Sequence, residues 1–499
     1  MNAASVTIVG DASRSREEIL ERAGRFAAAL RSLGVGAGDA VALLAHNGLV
    51  WFEVEMGVKQ LDAYVVPINW RWQGEELAHV LRDSMPKLLV ADASLASSVL
   101  PLLPQATRIA VLPSASTAMP ADAISYEPWI AGFDAIAASG GGMGSSMIYT
   151  SGTTGRPKAV RRLPASPAEV EHRRKVLALV YDAAPENRAL VTGPMYHLFP
   201  QATAMANFRA GGSVWVMPKF EPQEFLRLVQ EHRITHTQLV PTAFVRLLRL
   251  PDDMRRGFDV SSLRHVIHSG APCAPEVKRA MIEWLGPILW ESYGSTETGV
   301  MTLIGSQEWL QRPESVGRPV LTGEVRVYDA AGRRLPAGEV GDLYMRMHGT
   351  PDFTYHGNHE ARLRAEREGF ISAGDMGCLD ANGYLYIRDR RADMVISGGV
   401  NIYPAEIEAA LISHPDIVDA AVFGIPDDEF GESVAAHLAT APGSSLDEAT
   451  IRAYLRERLA GYKIPKRIVF ERDLPREETG KILKRLIRDR YWQGRARRI

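Results

Sequence analysis

Short, strongly apolar segments recur along the first 300 residues and alternate with longer amphipathic ones. Examples are "AVALLA", from Ala40 to Ala45, and the later segments "GSVWVM", "THTQLV" and "LRHVIHSG". Strands that are apolar on both faces and separated by helices are typical of parallel sheets covered on both sides. The pattern therefore predicts an α/β fold, with a large N-terminal domain of mostly parallel sheets flanked by helices. In such sheets, ligands bind beyond the carboxyl ends of the strands.

The pattern changes after about residue 320. The segments "VRVYDAAGRRL" and "CLDANGYLYI" predict hairpins, the second turning at Asn382 and Gly383, and so a small β subdomain. Beyond the charged stretch "RDRRAD", three strand-like segments and a helix capped by Ser445 and Glu448 predict a compact α+β domain. A chain of 499 residues also exceeds the ~250–300 residues at which single cores stop growing. We predict two domains, residues 1–390 and residues 391–499.

Composition excludes several classes of protein. The chain has 57 basic and 59 acidic residues, so it has no electrostatic footprint for nucleic acid. No apolar run approaches the ~18 residues of a membrane span, and the first residues lack the pattern of a secretory signal. Two cysteines, Cys273 and Cys378, form neither a disulfide framework nor a zinc knuckle. We expect a cytoplasmic protein without a nucleic-acid partner or a transmembrane segment.

One loop has the chemistry of a phosphate site. "YTSGTTGRPK" combines hydroxyl groups, two glycines that allow close backbone approach, and the mobile positive charge of Lys158. Backbone amides, hydroxyl groups and a lysine together make a cradle for phosphate. The spacing differs from that of the ordinary P-loop, because Arg156 and Pro157 separate the second glycine from the lysine. A mobile turn without a ligand is the alternative for this loop taken alone.

Four further segments supply groups that suit a nucleotide. "HSGAP" ends one apolar run, and "ESYGSTETG" follows another with an aromatic ring and the carboxylate of Glu297, a group that often carries Mg²⁺ beside phosphates. "SAGDMG" presents Asp375 among small residues, where a carboxylate can accept both hydroxyls of a ribose. "IRDRRAD" and "REETGKILKR" place Arg390 and Lys481 near and beyond the predicted domain boundary.

Together these blocks resemble the adenylate-forming superfamily of acyl-CoA synthetases, luciferases and peptide-synthetase adenylation domains. The resemblance covers nearly the whole chain in the same order, and four coinciding motifs are far more specific than one. Within the superfamily, "MVISGGVNIYPAEIE" and "GYKIPKRIVF" are most similar to carboxylate–CoA ligases for aryl and fatty acids. The resemblance implies an acid–thiol ligase that forms an acyl-adenylate from ATP, with Mg²⁺, and then transfers the acyl group to coenzyme A.

The resemblance also implies a role for each matching residue in nucleotide binding. The residues that would wrap the β- and γ-phosphates are Thr150, Ser151, Gly152, Thr153, Thr154, Gly155 and Lys158. The residues that would surround the adenosine are Gly270, Ala271, Pro272, Tyr293, Gly294, Asp375 and Arg390. Tyr293 would stack on adenine, and Asp375 would bind the ribose.

Catalytic roles follow from the same resemblance. Thr296 would contact the α-phosphate, Glu297 would hold Mg²⁺, and Lys481 would bridge the attacking carboxylate and the α-phosphate. A cation at that position is most useful when the phosphoryl oxygens gain charge. His197 matches the family's gatekeeper between the acid pocket and the pantetheine tunnel. The residues that match positions facing the nucleotide of coenzyme A are Phe430, Tyr462 and Lys466.

Three departures from the family pattern are visible. The hinge about which the small domain would rotate aligns with Ala392, where relatives commonly have Lys or Asp, and Asp393 follows it. Ala159 replaces a glycine after the phosphate loop. The histidine that many relatives carry shortly after that loop is absent, and "RRLPASPAEV" stands in its place.

Some suggestive residues have ordinary explanations. His232 and His236 have the spacing of a zinc helix, but Arg233 stands where a metalloprotease has its glutamate, and the second histidine lies in a strand-like segment. Cys273 lacks an evident partner base and reads as a packed thiol. The basic C-terminal segment "KRLIRDRYWQGRARRI" reads as a solvated helix face, with a contact to CoA phosphates as the alternative.

Three functions stay open at this point. The first is the CoA ligase; the second is an adenylate-forming enzyme with a carrier protein or an amine as acceptor, including one that activates an unusual acid such as nitrite for diazotisation. The third is a non-catalytic nucleotide-binding regulator, which would be expected to have lost at least one of Glu297, Asp375, Arg390 and Lys481. The acid itself is open among aryl, fatty and polycyclic acids, because apolar pockets discriminate by only ~1–3 kcal/mol per methylene. The oligomeric state is open as well, a homodimer included.

Overall fold

A computed structural model describes residues 6–10, 12–114, 117–137, 146–150, 157–476 and 482–493. In chain order the helices are α1 (Arg16–Ser32), α2 (Val50–Lys59), α3 (Gly74–Ser84), α4 (Ala93–Val99), α5 (Tyr126–Ala131), α6 (Pro167–Tyr181), α7 (Leu198–Ala210), α8 (Pro222–His232), α9 (Pro241–Leu248), α10 (Asp252–Arg256), α11 (Pro275–Leu285), α12 (Ser306–Gln311), α13 (His359–Arg364), α14 (Pro404–Ile412), α15 (Glu448–Arg456) and α16 (Lys484–Arg488).

The strands are more numerous than the helices. In chain order they are β1 (Val6–Val9), β2 (Ala12–Ser15), β3 (Ala40–Leu44), β4 (Tyr64–Pro67), β5 (Leu88–Asp92), β6 (Arg108–Leu112), β7 (Ile124–Ser125), β8 (Met147–Thr150), β9 (Lys158–Arg162), β10 (Arg188–Val191), β11 (Ser213–Val216), β12 (His236–Leu239), β13 (His265–His268), β14 (Leu289–Ser295), β15 (Gly299–Gly305), β16 (Arg318–Pro319), β17 (Gly323–Tyr328), β18 (Gly341–Met347), β19 (Phe353–Tyr355), β20 (Glu366–Arg367), β21 (Phe370–Ile371), β22 (Asp375–Leu379), β23 (Leu385–Arg390), β24 (Val395–Ser397), β25 (Val400–Ile402), β26 (Ile417–Asp427), β27 (Gly431–Thr440) and β28 (Arg467–Glu471).

The large domain contains two sheets whose strands run mostly in parallel. The nine-stranded sheet has the order β16-β15-β14-β13-β12-β10-β11-β1-β2, and its pairs from β14 to β1 are parallel. The five-stranded sheet, β4-β3-β5-β6-β7, is parallel throughout. Strands such as β3 and β13 are buried along their whole length. The predicted α/β class is confirmed.

Two antiparallel sheets complete the large domain. A three-stranded sheet, β19-β9-β8, lies at the two ends of the predicted phosphate loop. A six-stranded sheet contains β20-β21-β18-β22-β23, with β17 paired to β18, and forms the small β subdomain. The predicted turn at Asn382 and Gly383 connects β22 to β23. The other predicted hairpin is reduced to an isolated bridge between Tyr328 and Arg334, because β17 pairs with β18 instead.

The small domain has a core of its own. Its sheet has the order β25-β24-β27-β26, with β28 paired in parallel to β27. The buried apolar residues that pack α14 and α15 on this sheet all follow Val395 in the chain. The large domain's apolar clusters include no described residue beyond Ile387. The boundary between residues 390 and 391 stays a prediction.

Local capping signals were accurate at one helix and wrong at another. Ser15 and Glu18 form both hydrogen bonds of the capping box that begins α1. At α15, however, Asp447 is the N-cap and its carboxylate accepts from the Thr450 amide at 2.8 Å. The predicted cap by Ser445 is therefore wrong, since a carboxylate two residues later satisfies the helix terminus. No helix within the described ranges is long and apolar enough to cross a membrane.

Candidate active site

Two predicted adenosine-binding loops lie side by side beyond neighbouring parallel strands. The loop containing Gly270 follows β13, and β14, which ends at Ser295, carries Tyr293 near its own carboxyl end. Ser269 Oγ donates a hydrogen bond to the Ser292 carbonyl at 2.6 Å and joins the two segments. Gly270 has a φ of +88°, a conformation that favours glycine. The structure thus brings together the segments "HSGAP" and "ESYGS", with Ala271 and Pro272 in the first of them.

A tyrosine, a carboxylate and an arginine meet next to these loops. Tyr293 Oη donates to Asp375 Oδ2 at 2.6 Å, although the two residues lie 82 positions apart in sequence. Arg390 Nε lies 3.5 Å from Asp375 Oδ1, and the two residues are partners across β22 and β23. Burial and the neighbouring carboxylate raise the pKa of Tyr293 well above its ordinary value, so its hydroxyl remains a donor. A buried carboxylate fixed in this way can accept hydrogen bonds from a sugar diol.

The two described ends of the phosphate loop lie on adjacent strands. Thr150 and Lys158 are partners in the antiparallel pair β8–β9, and Thr150 Oγ1 donates to the Lys158 carbonyl at 3.4 Å. Lys158 Nζ lies 5.9 Å from the ring centroid of Tyr355. Five predicted loop residues lie outside the described residues: Ser151, Gly152, Thr153, Thr154 and Gly155. Lys481 lies outside them as well.

The turn between β14 and β15 carries the predicted catalytic residues Thr296 and Glu297. Two residues outside the predicted site contact this turn. Tyr355 Oη donates to Glu297 Oε1 at 2.9 Å, and an Arg162 Nη2 donates to the Thr296 carbonyl at 2.7 Å. Arg162 follows Lys158 by four residues on the same strand, so both side chains lie on one face of β9. The four-residue spacing of Lys158 and Arg162 in "KAVRR" could have indicated that Arg162 lies near the site, whereas nothing in the local sequence indicated Tyr355.

Glu297 suits a magnesium ion that is held mainly by substrate. Within the part of the chain that the structure describes, no group of three or more His, Cys, Asp or Glu residues could hold a metal by itself. Mg²⁺ in nucleotide sites is commonly bound by one or two carboxylates together with substrate phosphates. Tyr355 engages Oε1 of Glu297, and no described donor forms a hydrogen bond to Oε2. The carboxylate therefore fits the ion that the motifs imply.

His197 stands at the amino terminus of α7, where it is the N-cap residue. Its amide donates to the Pro194 carbonyl at 3.1 Å, and its ring centroid lies 4.4 Å from that of Tyr196. The following turns of α7 contribute Phe199 to an apolar cluster that also contains Tyr293. The helix that the candidate gatekeeper begins thus packs into the same apolar cluster as the candidate adenine-stacking ring.

Two of the three residues matched to CoA contacts lie together in the small domain. Lys466 Nζ lies 4.3 Å from the ring centroid of Phe430 and 2.8 Å from Asp427 Oδ2. The Lys466 ammonium lowers the pKa of Asp427 to about 2. Phe430 is 40% exposed and Tyr462 56% exposed, which is unusual for large aromatic side chains and leaves both rings available to a ligand.

The predicted hinge lies in a turn between β23 and β24, and charged residues of both domains surround it. Arg488 of α16 lies 3.5 Å from Asp393 Oδ1. On the large-domain side, Asp389 accepts a hydrogen bond from the Ala405 amide at 2.9 Å, at the first turn of α14. The N-cap residue of α14 makes no side-chain cap of its own. A carboxylate before the predicted boundary therefore caps a helix that follows it.

The ordinary explanations for His232, His236 and Cys273 agree with the structure. His232 ends α8 and His236 lies on β12, so the pair does not share a helix face. Burial raises the pKa of Cys273 above its ordinary value, which is contrary to a reactive thiolate. Within the C-terminal basic segment, Lys484–Arg488 form the short helix α16, whose face is solvated only in part, because Lys484 lies 2.7 Å from Glu408 and Ile487 is buried.

The fold and the strand-end loops define a class of nucleotide-dependent enzymes, and comparison with known proteins agrees with it. Residues 2–350 match the family described as "AMP-binding enzyme", and residues 406–481 match "AMP-binding enzyme C-terminal domain". The chain belongs to the AMP-binding enzyme family. The predicted superfamily and the class of AMP-forming acid–thiol ligase are thereby confirmed.

Individual relatives cover the whole chain. It is 32% identical to a feruloyl-CoA synthase of an Amycolatopsis species over 97% of this chain and 95% of that protein. It is 31% identical to the fatty acid–[acyl-carrier-protein] ligase ScoC of Streptomyces coeruleorubidus, over 97% and 92% of the two chains. The crystal structure of the anthranilate CoA ligase AuaEII in complex with anthranoyl-AMP superposes with a TM-score of 0.89, at 25% identity over 99% of this chain and 95% of that one.

Proposed function

We propose that this protein is an ATP-dependent carboxylate–CoA ligase. The observation that carries the proposal is the set of contacts that links these groups. Tyr293, on the strand that leads into the Thr296–Glu297 turn, donates to Asp375, and Tyr355 contacts both Glu297 and the ammonium of Lys158. A ring, a carboxylate that suits a diol, a carboxylate that suits a cation and a lysine are the groups that the adenine, ribose and phosphates of ATP require.

In this proposal each residue acts on one part of the nucleotide. Tyr293, with the backbone of residues 270–272, borders the adenine, while Asp375 and Arg390 hold the ribose. Thr296 positions the α-phosphate, Glu297 holds Mg²⁺, and Thr150 and Lys158 frame the outer phosphates with residues 151–155. Mg²⁺, when bound, neutralises charge on the phosphate oxygens.

The first half-reaction is a displacement at phosphorus. A carboxylate oxygen of the acid attacks the α-phosphorus of ATP, the bond to the β-phosphate oxygen breaks, and pyrophosphate leaves. Such a displacement needs positioning and charge neutralisation more than covalent help from the protein. Lys481 supplies a positive charge at the reacting oxygens. In the second half-reaction the thiol of CoA attacks the acyl carbon, and AMP leaves.

Lys481 belongs to the small domain, so the two half-reactions use two orientations of that domain. Rotation about Ala392 and Asp393 separates groups on either side of the hinge. The Asp389–Ala405 hydrogen bond crosses the hinge, as do two bonds from Arg249 to the carbonyls of Ile417, at 2.6 Å, and Val418, at 3.4 Å. These contacts are specific to one orientation and would be exchanged for others during the cycle.

The acceptor is assigned to CoA on the basis of the small-domain surface. The exposed ring of Phe430 beside the cation of Lys466, together with the exposed ring of Tyr462, suits an adenine ring and its phosphates. The similarity to feruloyl-CoA synthase supports the same acceptor. A carrier protein is the second candidate, because ScoC, a carrier-protein ligase, is almost equally similar over nearly the same length.

Product analysis tests the function directly. The purified protein would be given ATP, Mg²⁺ and each of a panel of aryl, medium-chain and polycyclic carboxylic acids, with and without CoA. AMP and pyrophosphate formation that depends on one of the acids, with AMP release accelerated by CoA, is the expected result. Release accelerated only by a phosphopantetheinylated carrier protein or an amine would assign the other acceptor. Formation of ADP and orthophosphate would refute adenylation altogether.

A further inference from the structure

The three-stranded sheet that borders the phosphate loop also contacts the metal-binding turn. In this sheet β9 lies between β8 and β19, with Tyr355 opposite Val160 and Phe353 opposite Arg162. From this one sheet, Tyr355 reaches the side chain of Glu297 and Arg162 reaches the backbone of Thr296. The strand that begins with Lys158 is thus joined to the turn that carries the two predicted catalytic residues.

The hydrogen bond from Tyr355 fixes the orientation of the Glu297 carboxylate. The Tyr355 hydroxyl is the donor of this bond, because a phenol O–H donates to a carboxylate oxygen. With Oε1 engaged at 2.9 Å, the carboxylate cannot rotate freely and Oε2 is left to a cation. Residues in the outer shell of a metal site act in this way on the ligands they hold.

Arg162 acts on the backbone of the same turn. Its guanidinium donates to the Thr296 carbonyl at 2.7 Å and lies 5.8 Å from the ring centroid of Phe353, which lies opposite it on β19. Burial lowers the pKa of Arg162 to about 10, so the group is still a cation at neutral pH. It lines a cavity of about 450 Å³ that also borders Glu297 and Thr298.

We propose that Tyr355 and Arg162 are positioning residues that hold the Thr296–Glu297 turn at a fixed position relative to β9 and Lys158. The inference rests on the proposed function. It assigns a role to "RRLPASPAEV", the segment in which this chain departs from its relatives. Without these two contacts, the phosphates bound by Lys158 and the cation bound by Glu297 would no longer be held at a fixed separation.

Tyr355→Phe tests the proposal with the loss of a single hydroxyl. The matched control is Tyr328→Phe, because Tyr328 Oη also donates to a glutamate, Glu368, at 2.9 Å, but in the β subdomain away from the nucleotide loops. Two readouts are needed: the free Mg²⁺ concentration that gives half-maximal ATP–pyrophosphate exchange, and the Kd of Mn²⁺ in the presence of α,β-methylene-ATP, measured by electron paramagnetic resonance. We expect both to rise about 10-fold in Tyr355→Phe and neither to change in Tyr328→Phe. The KM for the acid should stay unchanged.

Arg162→Lys and Arg162→Met separate charge from geometry. Lysine keeps the positive charge but lacks the planar fork, so it should restore part of the exchange rate that methionine loses. Arg161→Met is the control, since Arg161 lies on the opposite face of β9 over the ring of Tyr64. The proposal would be overturned if Tyr355→Phe and the wild type had the same Kd for Mn²⁺ and reached half-maximal exchange at the same free Mg²⁺ concentration. An inactive wild type that still bound Mn²⁺ more tightly than Tyr355→Phe would refute the ligase function and support the positioning role.

Discussion

Replacement of Gly294 by alanine is the most direct test of the geometry at the β14–β15 turn. A Cβ at residue 294 would stand 2.0 Å from the carbonyl oxygen of Gly299, and 2.9 Å from both the Gly299 carbonyl carbon and Val300 Cα. Carbon and carbonyl oxygen atoms in contact are normally about 3.3 Å apart. All three atoms belong to backbone, which cannot swing aside as a side chain can. The strands would therefore separate by about 1 Å at the base of the turn that carries Glu297.

That separation has a calculable effect on adenylation. A displacement of about 1 Å in a reacting group costs on the order of 10²-fold in rate, which corresponds to about 2.7 kcal/mol of activation free energy. Overpacking a well-packed site also destabilises the fold by about 1–3 kcal/mol. We expect Gly294→Ala to lower the rate of ATP–pyrophosphate exchange by about 10²-fold, with a measurable but smaller decrease in thermal stability.

The assay is exchange of labelled pyrophosphate into ATP at saturating acid and Mg²⁺, with the melting temperature recorded for each variant. Gly36→Ala is the control, because no atom lies within 4 Å of the added Cβ and residue 36 does not have a positive φ. It should keep both the wild-type rate and the wild-type melting temperature. If Gly294→Ala exchanged pyrophosphate within about threefold of the wild type, the turn would have to accommodate a side chain, and the argument from close packing would be wrong.

The remaining predictions concern other residues. Tyr293→Phe removes the hydrogen bond to Asp375, and hydrogen bonds to charged groups contribute about 1.5–3 kcal/mol. The KM for ATP should therefore rise at least about 10-fold in steady-state assays. An unchanged KM would contradict the assignment of Asp375 to the ribose. Lys481→Ala should abolish adenylation but leave the reaction of a supplied acyl-adenylate with CoA unchanged. If both reactions were lost equally, Lys481 would not act specifically in adenylation. Burial lowers the pKa of His265 from 6.5 to about 4, so below pH 6.5 the unfolded chain binds a proton that the folded protein does not. Stability should therefore fall as the pH decreases, by about 2 kcal/mol from this residue between pH 7 and 5. His265→Gln, whose amide can still donate to the Val180 carbonyl, should show a shallower decrease in urea unfolding, and parallel curves for the two proteins would count against the buried neutral histidine.

Part of the candidate site could be predicted from the sequence, because some of its functional groups lie close together in the chain. The glycine and hydroxyl residues of "ESYGSTETG" and the segment around Asp375 each form a compact motif. The structure brings Tyr293, Asp375 and Arg390 together. Helix capping was predictable at α1, where Ser15 and Glu18 have the spacing of a capping box. At α15 a carboxylate two residues after the predicted Ser445, that of Asp447, formed the cap.

The amino-acid sequence by itself determined the alternation of buried strands and helices, the order of the nucleotide loops and the family, because these depend on short-range periodicity and on motifs. Only the tertiary structure decided which distant residues support those motifs. Tyr355 contacts Glu297 across 58 positions of the chain, and Arg162 contacts Thr296 across 134. Both contacts exist because β9 pairs with β19 and faces the β14–β15 turn. A side-chain pattern along one strand specifies which face is buried, but it does not specify which other strand or turn that face will meet.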